Sequence, residues 1–295
     1  MTMLRESPTA DANESMPNGM VPRKPTDKVL LTDPRFEVIP MKNIDEEAAS
    51  LPLGATLSVT ASPNKGLDAT FALAEKLSAR GFHVIPHIAA RLVKSKEHLT
   101  EVADRLSRDG FQDIFVIGGD ETEPAGPYHS ASMLLKDLTQ LPNKPRSIGI
   151  GAYPDGHPVI KRNELFRALF EKQPMVNYMI TQICFDPQKI STWLADMRDH
   201  GIELPVYIGI PGVLKRQKLL EISLKVGVGD STRFLMHNLT LIQRLLGHDT
   251  YRPDKLVKQT VSLAQDEANR IAGFHIFTFN QCRTTEQWRQ ANLKG

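Results

Sequence analysis

A single carboxylate lies among apolar residues where the regular pattern of this chain begins. Glu37 is the second residue of Phe36-Glu37-Val38-Ile39, a run that is typical of a buried strand. A carboxyl group that is removed from water keeps its proton more readily, which makes Glu37 a candidate general acid. An exposed position on an edge strand explains the same residues equally well, and both interpretations stay open at this point.

Two glycines precede an acid at the end of another apolar run, Ile117-Gly118-Gly119-Asp120-Glu121. Glycines let the backbone approach a ligand closely, while the carboxylate of Asp120 projects from the strand end. The competing interpretation is a tight turn in which Asp120 caps the following helix, which is the commoner meaning of this triplet.

Ring side chains follow two further runs. The turn Tyr153-Pro154-Asp155-Gly156-His157-Pro158 contains a phenol and an imidazole, and such rigid groups suit stacking on a planar heterocycle and hydrogen bonding to it. His87 follows Val84-Ile85-Pro86 in a similar way. The alternatives are a Pro-Asp-Gly turn that happens to contain a histidine, and a purely structural histidine at position 87.

An amide lies inside a further apolar run, Ile180-Thr181-Gln182-Ile183-Cys184-Phe185-Asp186. Burying the Gln182 side chain is costly unless a partner satisfies its amide, and a bound ring with donor and acceptor edges would do so. Neighbouring backbone groups in the core would satisfy it as well, and the residues alone do not separate the two.

These residues can form one site only in a fold that brings the ends of several strands together. From residue 35 onward, short apolar runs alternate with amphipathic stretches such as Leu67–Arg80 and Glu97–Ser107, which is typical of parallel βα units. Eight such units predict an α/β fold, a (β/α)8 TIM barrel, whose strand C-termini carry the active site. The expected strands are Arg35–Pro40, Ala55–Ser62, His83–Ala90, Asp113–Asp120, Ser147–Pro154, Tyr178–Phe185, Pro205–Gly212 and Gly273–Asn280.

The stretch between the seventh and eighth expected strands, residues 213–272, is too long for one helix. We expect an extra helical excursion there, with a helix around Phe234–Leu246. An open, doubly wound sheet is the competing architecture, but no GxGxxG sequence follows the first strand.

Composition places the chain among ordinary globular proteins. Of 295 residues, 41% are hydrophobic, and the formal net charge of +2 argues against a nucleic-acid partner. Cys184 and Cys282 lack the spacing of a metal site or a disulfide scaffold. No apolar run approaches a membrane span, and no secretory signal begins the chain. We expect a cytoplasmic protein with a flexible or surface-draped extension over residues 1–34 and one catalytic barrel over residues 35–295; a homo-oligomer stays open.

Taken in order, the strand ends resemble those of the methylenetetrahydrofolate reductase family from Phe36 to about Arg283. One matching element would be weak evidence, but seven in the right order are specific. They are Phe36-Glu37 with Pro40, Val59-Thr60, Pro86-His87, Gly119-Asp120, Tyr153 to Pro158, Ile180 to Asp186, and Phe274 to Asn280.

The resemblance implies an oxidoreductase that acts on CH–NH bonds and reduces 5,10-methylenetetrahydrofolate with NAD(P)H. It implies that Glu37 assists formation of the reactive folate iminium, that Asp120 contacts the pterin and tunes the flavin, and that Gln182 orients the pterin. NAD(P)H and folate would use the same face of FAD in turn, which implies ping-pong kinetics. The implied cofactor contacts are Thr60, His87, Gly119, Asp120, Tyr153 and His157.

The chain departs from the family mainly around the cofactor. Gly118 stands where flavoprotein members have an arginine, and Lys161, Arg162, Arg167 and Lys172 are candidates to supply phosphate charge from shifted positions. Two mechanisms follow. We favour FAD held by rearranged contacts, because the ring contacts remain; the alternative is direct hydride transfer from NAD(P)H to the folate. A non-catalytic folate-binding partner of a methyltransferase is a further alternative, against which the retained acid at position 37 argues.

Overall fold

Eight parallel strands close into a barrel. The computed structural model describes residues 26–62, 65–215, 218 and 250–294. Strands β1 to β7 are neighbours in chain order, and β10 closes the ring between β7 and β1, so that the predicted (β/α)8 barrel is confirmed. The barrel strands are β1 (Arg35–Val38), β2 (Thr56–Val59), β3 (His83–Ala89), β4 (Asp113–Ile117), β5 (Ser147–Ala152), β6 (Tyr178–Thr181), β7 (Val206–Pro211) and β10 (Ile271–Phe277).

The eight strands lie where the sequence predicted them, but their carboxyl ends come earlier. β4 ends at Ile117 rather than Asp120, and β6 ends at Thr181 rather than Phe185. An apolar run shows which residues are buried and does not show where the hydrogen-bonded ladder stops. The residues beyond each ladder are therefore loop residues at the mouth of the barrel.

Helices cover the outside of the barrel. In α4, Leu99, Val102 and Leu106 are buried on one face, and Ser95 caps the helix by accepting a hydrogen bond from the His98 N–H. No helix in the described ranges is long and apolar enough to span a bilayer. The helices are α1 (Asp27–Thr32), α2 (Ile44–Ala48), α3 (Gly66–Ala79), α4 (Lys96–Arg108), α5 (Ala131–Leu138), α6 (Arg162–Lys172), α7 (Pro187–Asp199), α8 (Asp254–Ala264) and α9 (Cys282–Lys294), with 3-10 turns at Ala90–Leu92, Gln173–Met175 and Glu267–Asn269.

Of the two alternatives for the extension, the flexible one does not hold for the helix Asp27–Thr32, which lies packed on the barrel. Helix α1 packs against α9 and β10 and buries Leu31. The buried guanidinium of Arg289 donates hydrogen bonds to the carbonyls of Leu31 and Thr32, at 2.8 and 3.0 Å, and pairs with Glu286. Apolar burial and satisfied carbonyls thus fix α1 to the barrel. Residues 1–25 lie outside the described residues, and the assignment of one catalytic domain stays a prediction.

The connection between β7 and β10 contains a short two-stranded antiparallel sheet. Strands β8 (Leu214–Lys215) and β9 (Thr250–Tyr251) pair antiparallel, and α8 follows them. This part of the connection adds a two-stranded sheet to the expected helical excursion. The predicted helix around Phe234–Leu246 lies outside the described residues.

Side chains fill the amino-terminal end of the barrel. The Arg35 guanidinium lies between the rings of Tyr178 and Tyr207, with its carbon 4.0 Å from each ring centroid. Asp113 completes the group, 3.4 Å from the Arg35 Nη2 and hydrogen-bonded by the Tyr178 hydroxyl at 2.9 Å. Cation–π contacts and the ion pair hold this plug together. The carboxyl ends of the strands are therefore the place for a cleft.

Candidate active site

A cleft of about 1320 Å³ opens at the carboxyl ends of the strands. This is the end of a (β/α)8 barrel at which active sites lie. The predicted site residues come from six different strands or from the loops that follow them, and the structure brings them all to this cleft. The eight are Glu37, Thr60, His87, Gly119, Asp120, Tyr153, His157 and Gln182.

Glu37 is held by His275, a residue of the Phe274–Asn280 element for which the sequence predicted no role. The side chain of Glu37 is only 15% exposed, and its Oε2 lies 3.2 Å from the Nε2 of His275. His275 is buried on β10, and its Nδ1 has no hydrogen-bond partner among the described residues. Both residues line the cleft, so both side chains point into the barrel interior, and the pairing of β1 with β10 brings them together. The two form a buried acid–imidazole pair next to the cleft, so the edge-strand interpretation of Glu37 is wrong.

His87 is neutral at physiological pH. Its ring is buried on β3, and its Nε2 lies 2.6 Å from the hydroxyl of Ser58. Burial lowers the pKa of His87 from 6.5 to about 4, an effect that the nearby Glu37 carboxylate only partly opposes. A neutral imidazole beside the Phe115 ring, 4.8 Å away between centroids, presents an uncharged wall to a ligand.

Tyr153 and His157 form a second wall on the loop that follows β5. Their rings meet edge to face with centroids 5.1 Å apart. The His157 Nδ1 accepts hydrogen bonds from the backbone N–H groups of Val159 and Ile160, both at 3.2 Å. Burial lowers the pKa of His157 and raises that of Tyr153. His157 therefore keeps its proton on Nε2, which leaves that atom as a hydrogen-bond donor.

Of the two glycines before Asp120, Gly119 has a structural reason to lack a side chain and Gly118 has none. Gly119 has φ +100°, and a Cβ there would lie 2.4 Å from the Oε2 of Glu121; a Cβ at Gly118 would meet nothing within 4 Å. Asp120 itself is exposed at the mouth. Ser130, ten residues later, caps the next helix, so the interpretation of Asp120 as that cap is wrong.

Gln182 follows β6, and one half of its amide is already used. Its Oε1 accepts a hydrogen bond of 2.8 Å from the backbone N–H of Ile183. Within the described residues, no acceptor lies within hydrogen-bond distance of its NH2 group. A neighbouring backbone group therefore satisfies the oxygen of the Gln182 amide, as one of the two interpretations expected. The NH2 group can donate to a ligand in the cleft.

A family model described as methylenetetrahydrofolate reductase matches residues 41–290. The chain belongs to the methylenetetrahydrofolate reductase family. Among solved structures, it is similar to the apo form of a protein assigned as a deoxyribose-phosphate aldolase from Toxoplasma gondii ME49, with 11% identity and a TM-score of 0.47 over 90% of this chain and 96% of that one. It is also similar to a chitinase from Rhizomucor miehei, with 12% identity and a TM-score of 0.36 over 62% of this chain and 70% of that one.

The cleft of this methylenetetrahydrofolate reductase family member fits the ring of FAD, the cofactor implied by the family. The Gly119 backbone lines the cleft, and Tyr153, His157 and His87 supply ring walls and one fixed donor. These are the features that bind planar heterocycles. No three His, Cys, Asp or Glu side chains converge as metal ligands in the part of the chain that the structure describes.

Few of the basic side chains considered from the sequence are placed to neutralise the phosphates of FAD. Of the four basic residues considered from the sequence, Lys161 and Arg167 are exposed and do not line the cleft. Arg162 lines it but pairs with Asp196 at 2.9 Å. Lys172 lines the cleft, and within the described residues it forms no ion pair; burial lowers its pKa to about 8. Lys172 is thus the cation of these four that is available to a phosphate.

Proposed function

We propose that this protein reduces 5,10-methylenetetrahydrofolate to 5-methyltetrahydrofolate with a hydride from NAD(P)H, and that FAD carries the hydride. The observation that supports the proposal is the position of Glu37. Its carboxyl group is held in the barrel interior by His275, and it borders the same cleft as Asp120 and Gln182. An acid, two polar groups for a substrate and ring walls for a cofactor therefore share one cavity.

The proposed reaction adds one proton and one hydride to the folate. Glu37 donates the proton to one of the two nitrogens that the methylene group bridges. The bond from that nitrogen to the methylene carbon breaks, the five-membered ring opens, and the carbon forms an electrophilic iminium with the other nitrogen. The hydride then adds to that carbon and produces the methyl group. The Gln182 NH2 and the Asp120 carboxylate hydrogen-bond to the acceptor and donor edges of the pterin, which fixes the carbon relative to the hydride.

The proposed FAD site uses the ring walls and the phosphate cation described above. When bound, FAD supplies a two-electron carrier that accepts a hydride from NAD(P)H and delivers it to the folate. Thr60, His87, Tyr153 and His157 would hold the ring, and Lys172 would neutralise phosphate charge. The half-buried loop backbone at Gly119 would border the ring.

A second candidate is direct hydride transfer from NAD(P)H to the folate without a flavin. Gly118 favours this candidate. The arginine that flavoprotein members have at this position would supply a positive charge for the FAD phosphates, whereas glycine supplies none and leaves the space open. In this version the nicotinamide ring occupies the place between the ring walls. The roles of Glu37, Asp120 and Gln182 are unchanged.

The first experiment is a visible absorption spectrum of the purified protein, followed by FAD titration if it is colourless. A flavin spectrum that NAD(P)H bleaches and methylenetetrahydrofolate restores would support the FAD version. Turnover by a colourless protein that ignores FAD would support direct transfer. Absence of turnover under both conditions would contradict the reductase proposal and favour a folate-binding partner of a methyltransferase.

The acid is tested with Glu37→Gln, which keeps the size of the side chain and removes its proton. We expect kcat to fall by about 10² to 10⁴-fold, the usual contribution of a general acid. The matched control is Glu46→Gln, because Glu46 is exposed on α2 away from the cleft. Full activity in Glu37→Gln would refute the catalytic assignment.

A further inference from the structure

The backbone turns in an unusual way where β10 ends, next to Glu37. Phe279 and Asn280 are consecutive residues with φ of 48° and 56°, in the left-handed region that is strained for most residues and that glycine, followed by asparagine, adopts most readily. Glycine would fit this backbone with the least strain. Asn280 is present instead, and the residue is 1% exposed. A buried amide costs free energy unless it is hydrogen-bonded, so the partners of the Asn280 amide explain why asparagine stands here.

The Asn280 amide takes the place of a strand partner for Ile39. The ladder between β1 and β10 stops at the pair Glu37 and Phe277, so the peptide groups of Ile39 have no partner on β10. The Asn280 Oδ1 accepts a hydrogen bond from the Ile39 N–H, and its Nδ2 donates one to the Ile39 carbonyl, both at 2.9 Å. Only an amide of this length offers both a donor and an acceptor here.

Thr278 holds the neighbouring peptide group of β1. Its hydroxyl donates a hydrogen bond of 2.5 Å to the Glu37 carbonyl, and its backbone N–H points to the same oxygen at 3.3 Å. The hydroxyl also accepts a hydrogen bond from the Asn280 N–H at 3.1 Å. We call Thr278 and Asn280 the β10 clamp. The clamp fixes the backbone of β1 at Glu37 and again two residues later.

We infer that Asn280 is a positioning residue that sets where the Glu37 carboxyl group lies. The inference rests on the proposed function, in which Glu37 is the acid. Glu37 contacts His275 on β10 through its side chain, and the clamp joins the backbones of the same two strands. When the clamp is loosened, the end of β1 can move relative to β10 and to the cleft. An acid that is displaced by a fraction of an ångström transfers its proton less efficiently.

The test is Asn280→Gly, which removes the amide while relaxing the left-handed backbone, so that folding is disturbed as little as the site allows. We expect kcat to fall by about 10- to 100-fold, while KM for methylenetetrahydrofolate changes less than about threefold. The Ile39 amide should exchange its hydrogen with solvent faster, measured by mass spectrometry on the fragment that contains it. In the Glu37→Gln background, Asn280→Gly should lower kcat by less than a further factor of about two, because the carboxyl group that Asn280 positions is already absent.

The matched control is Asn177→Ala. The Asn177 Oδ1 also accepts a hydrogen bond from a strand backbone, the Ile148 N–H at 2.9 Å, but at the other end of the barrel. It should leave kcat unchanged. Asn280→Ser is a second variant in case the glycine variant fails to fold, and unfolding of both would assign Asn280 to stability and overturn the inference.

The outcomes separate this inference from the proposed function. Wild-type kcat in Asn280→Gly, or an equal loss in the presence and absence of the Glu37 carboxyl, would overturn the positioning role and leave the acid in place. Full activity in Glu37→Gln would instead overturn the proposed acid, whatever Asn280→Gly does.

Discussion

Acidification is expected to destabilise this protein through His87. The imidazole has a pKa of about 4 in the folded state, because it is buried, against 6.5 as its ordinary value. The unfolded chain therefore binds a proton at a pH at which the folded chain does not, and acid favours unfolding. This loss of stability begins near pH 6.5 and is complete below about pH 4. Its limit is roughly 3 kcal/mol, from the difference between the two pKa values.

Between pH 7 and pH 5 the His87 contribution to the free energy of unfolding is expected to fall by about 2 kcal/mol. The assay is urea unfolding of the wild type and of His87→Gln at both pH values. Glutamine keeps a hydrogen-bonding group within reach of Ser58 but does not titrate. The variant should be less stable at pH 7 and should lose about 2 kcal/mol less than the wild type on acidification. His83→Gln, at the exposed start of the same strand, is the control variant. Parallel losses in wild type and His87→Gln would refute the reasoning.

Three further substitutions test packing and the cofactor. Arg289→Met should lower the free energy of unfolding by about 3–5 kcal/mol, because it leaves a buried carboxylate and two carbonyls of the α1 segment without their partner; a urea titration with less than about 1 kcal/mol of loss would contradict this. Gly149→Ala should lower the free energy of unfolding by at least about 1–3 kcal/mol, since its Cβ would lie 2.1 Å from the Tyr178 ring. In the same assay its control Gly151→Ala, whose Cβ has its nearest contact at 3.5 Å, should lower the free energy of unfolding less. Gly118→Arg should tighten FAD binding by about tenfold, as one added ion pair would, and an unchanged dissociation constant in a fluorescence titration would show that the guanidinium does not reach the phosphates.

The sequence predicts the barrel and its mouth well, because both depend on local patterns. Each site residue follows its own apolar run, and a (β/α)8 barrel gathers the ends of all such runs at one rim. The pattern does not show where the ladder stops, so Asp120 and Gln182 were expected in strands and lie in loops.

His275 shows what a local pattern cannot supply. Its contact with Glu37 joins residues that are 238 positions apart, and it depends on the register between the first and last barrel strands. Alternation within either strand predicts only that a side chain faces inward. Asn280 belongs to the same matching element, but its contact could not be predicted for a similar reason, since its partner Ile39 lies just beyond the end of a strand.

The plug formed by Arg35, Tyr178 and Tyr207 closes the amino-terminal end of the barrel, and the cleft opens at the carboxyl-terminal end. Above the plug, Ile85, Phe115 and Ile180 fill the interior up to the floor of the cleft. Ligands therefore enter and leave by the same rim, and two compounds that both need the place beside the ring walls have to take turns. In the proposed reaction, the folate would bind only after the oxidised nicotinamide has left, so a product that leaves the rim slowly would slow both half-reactions.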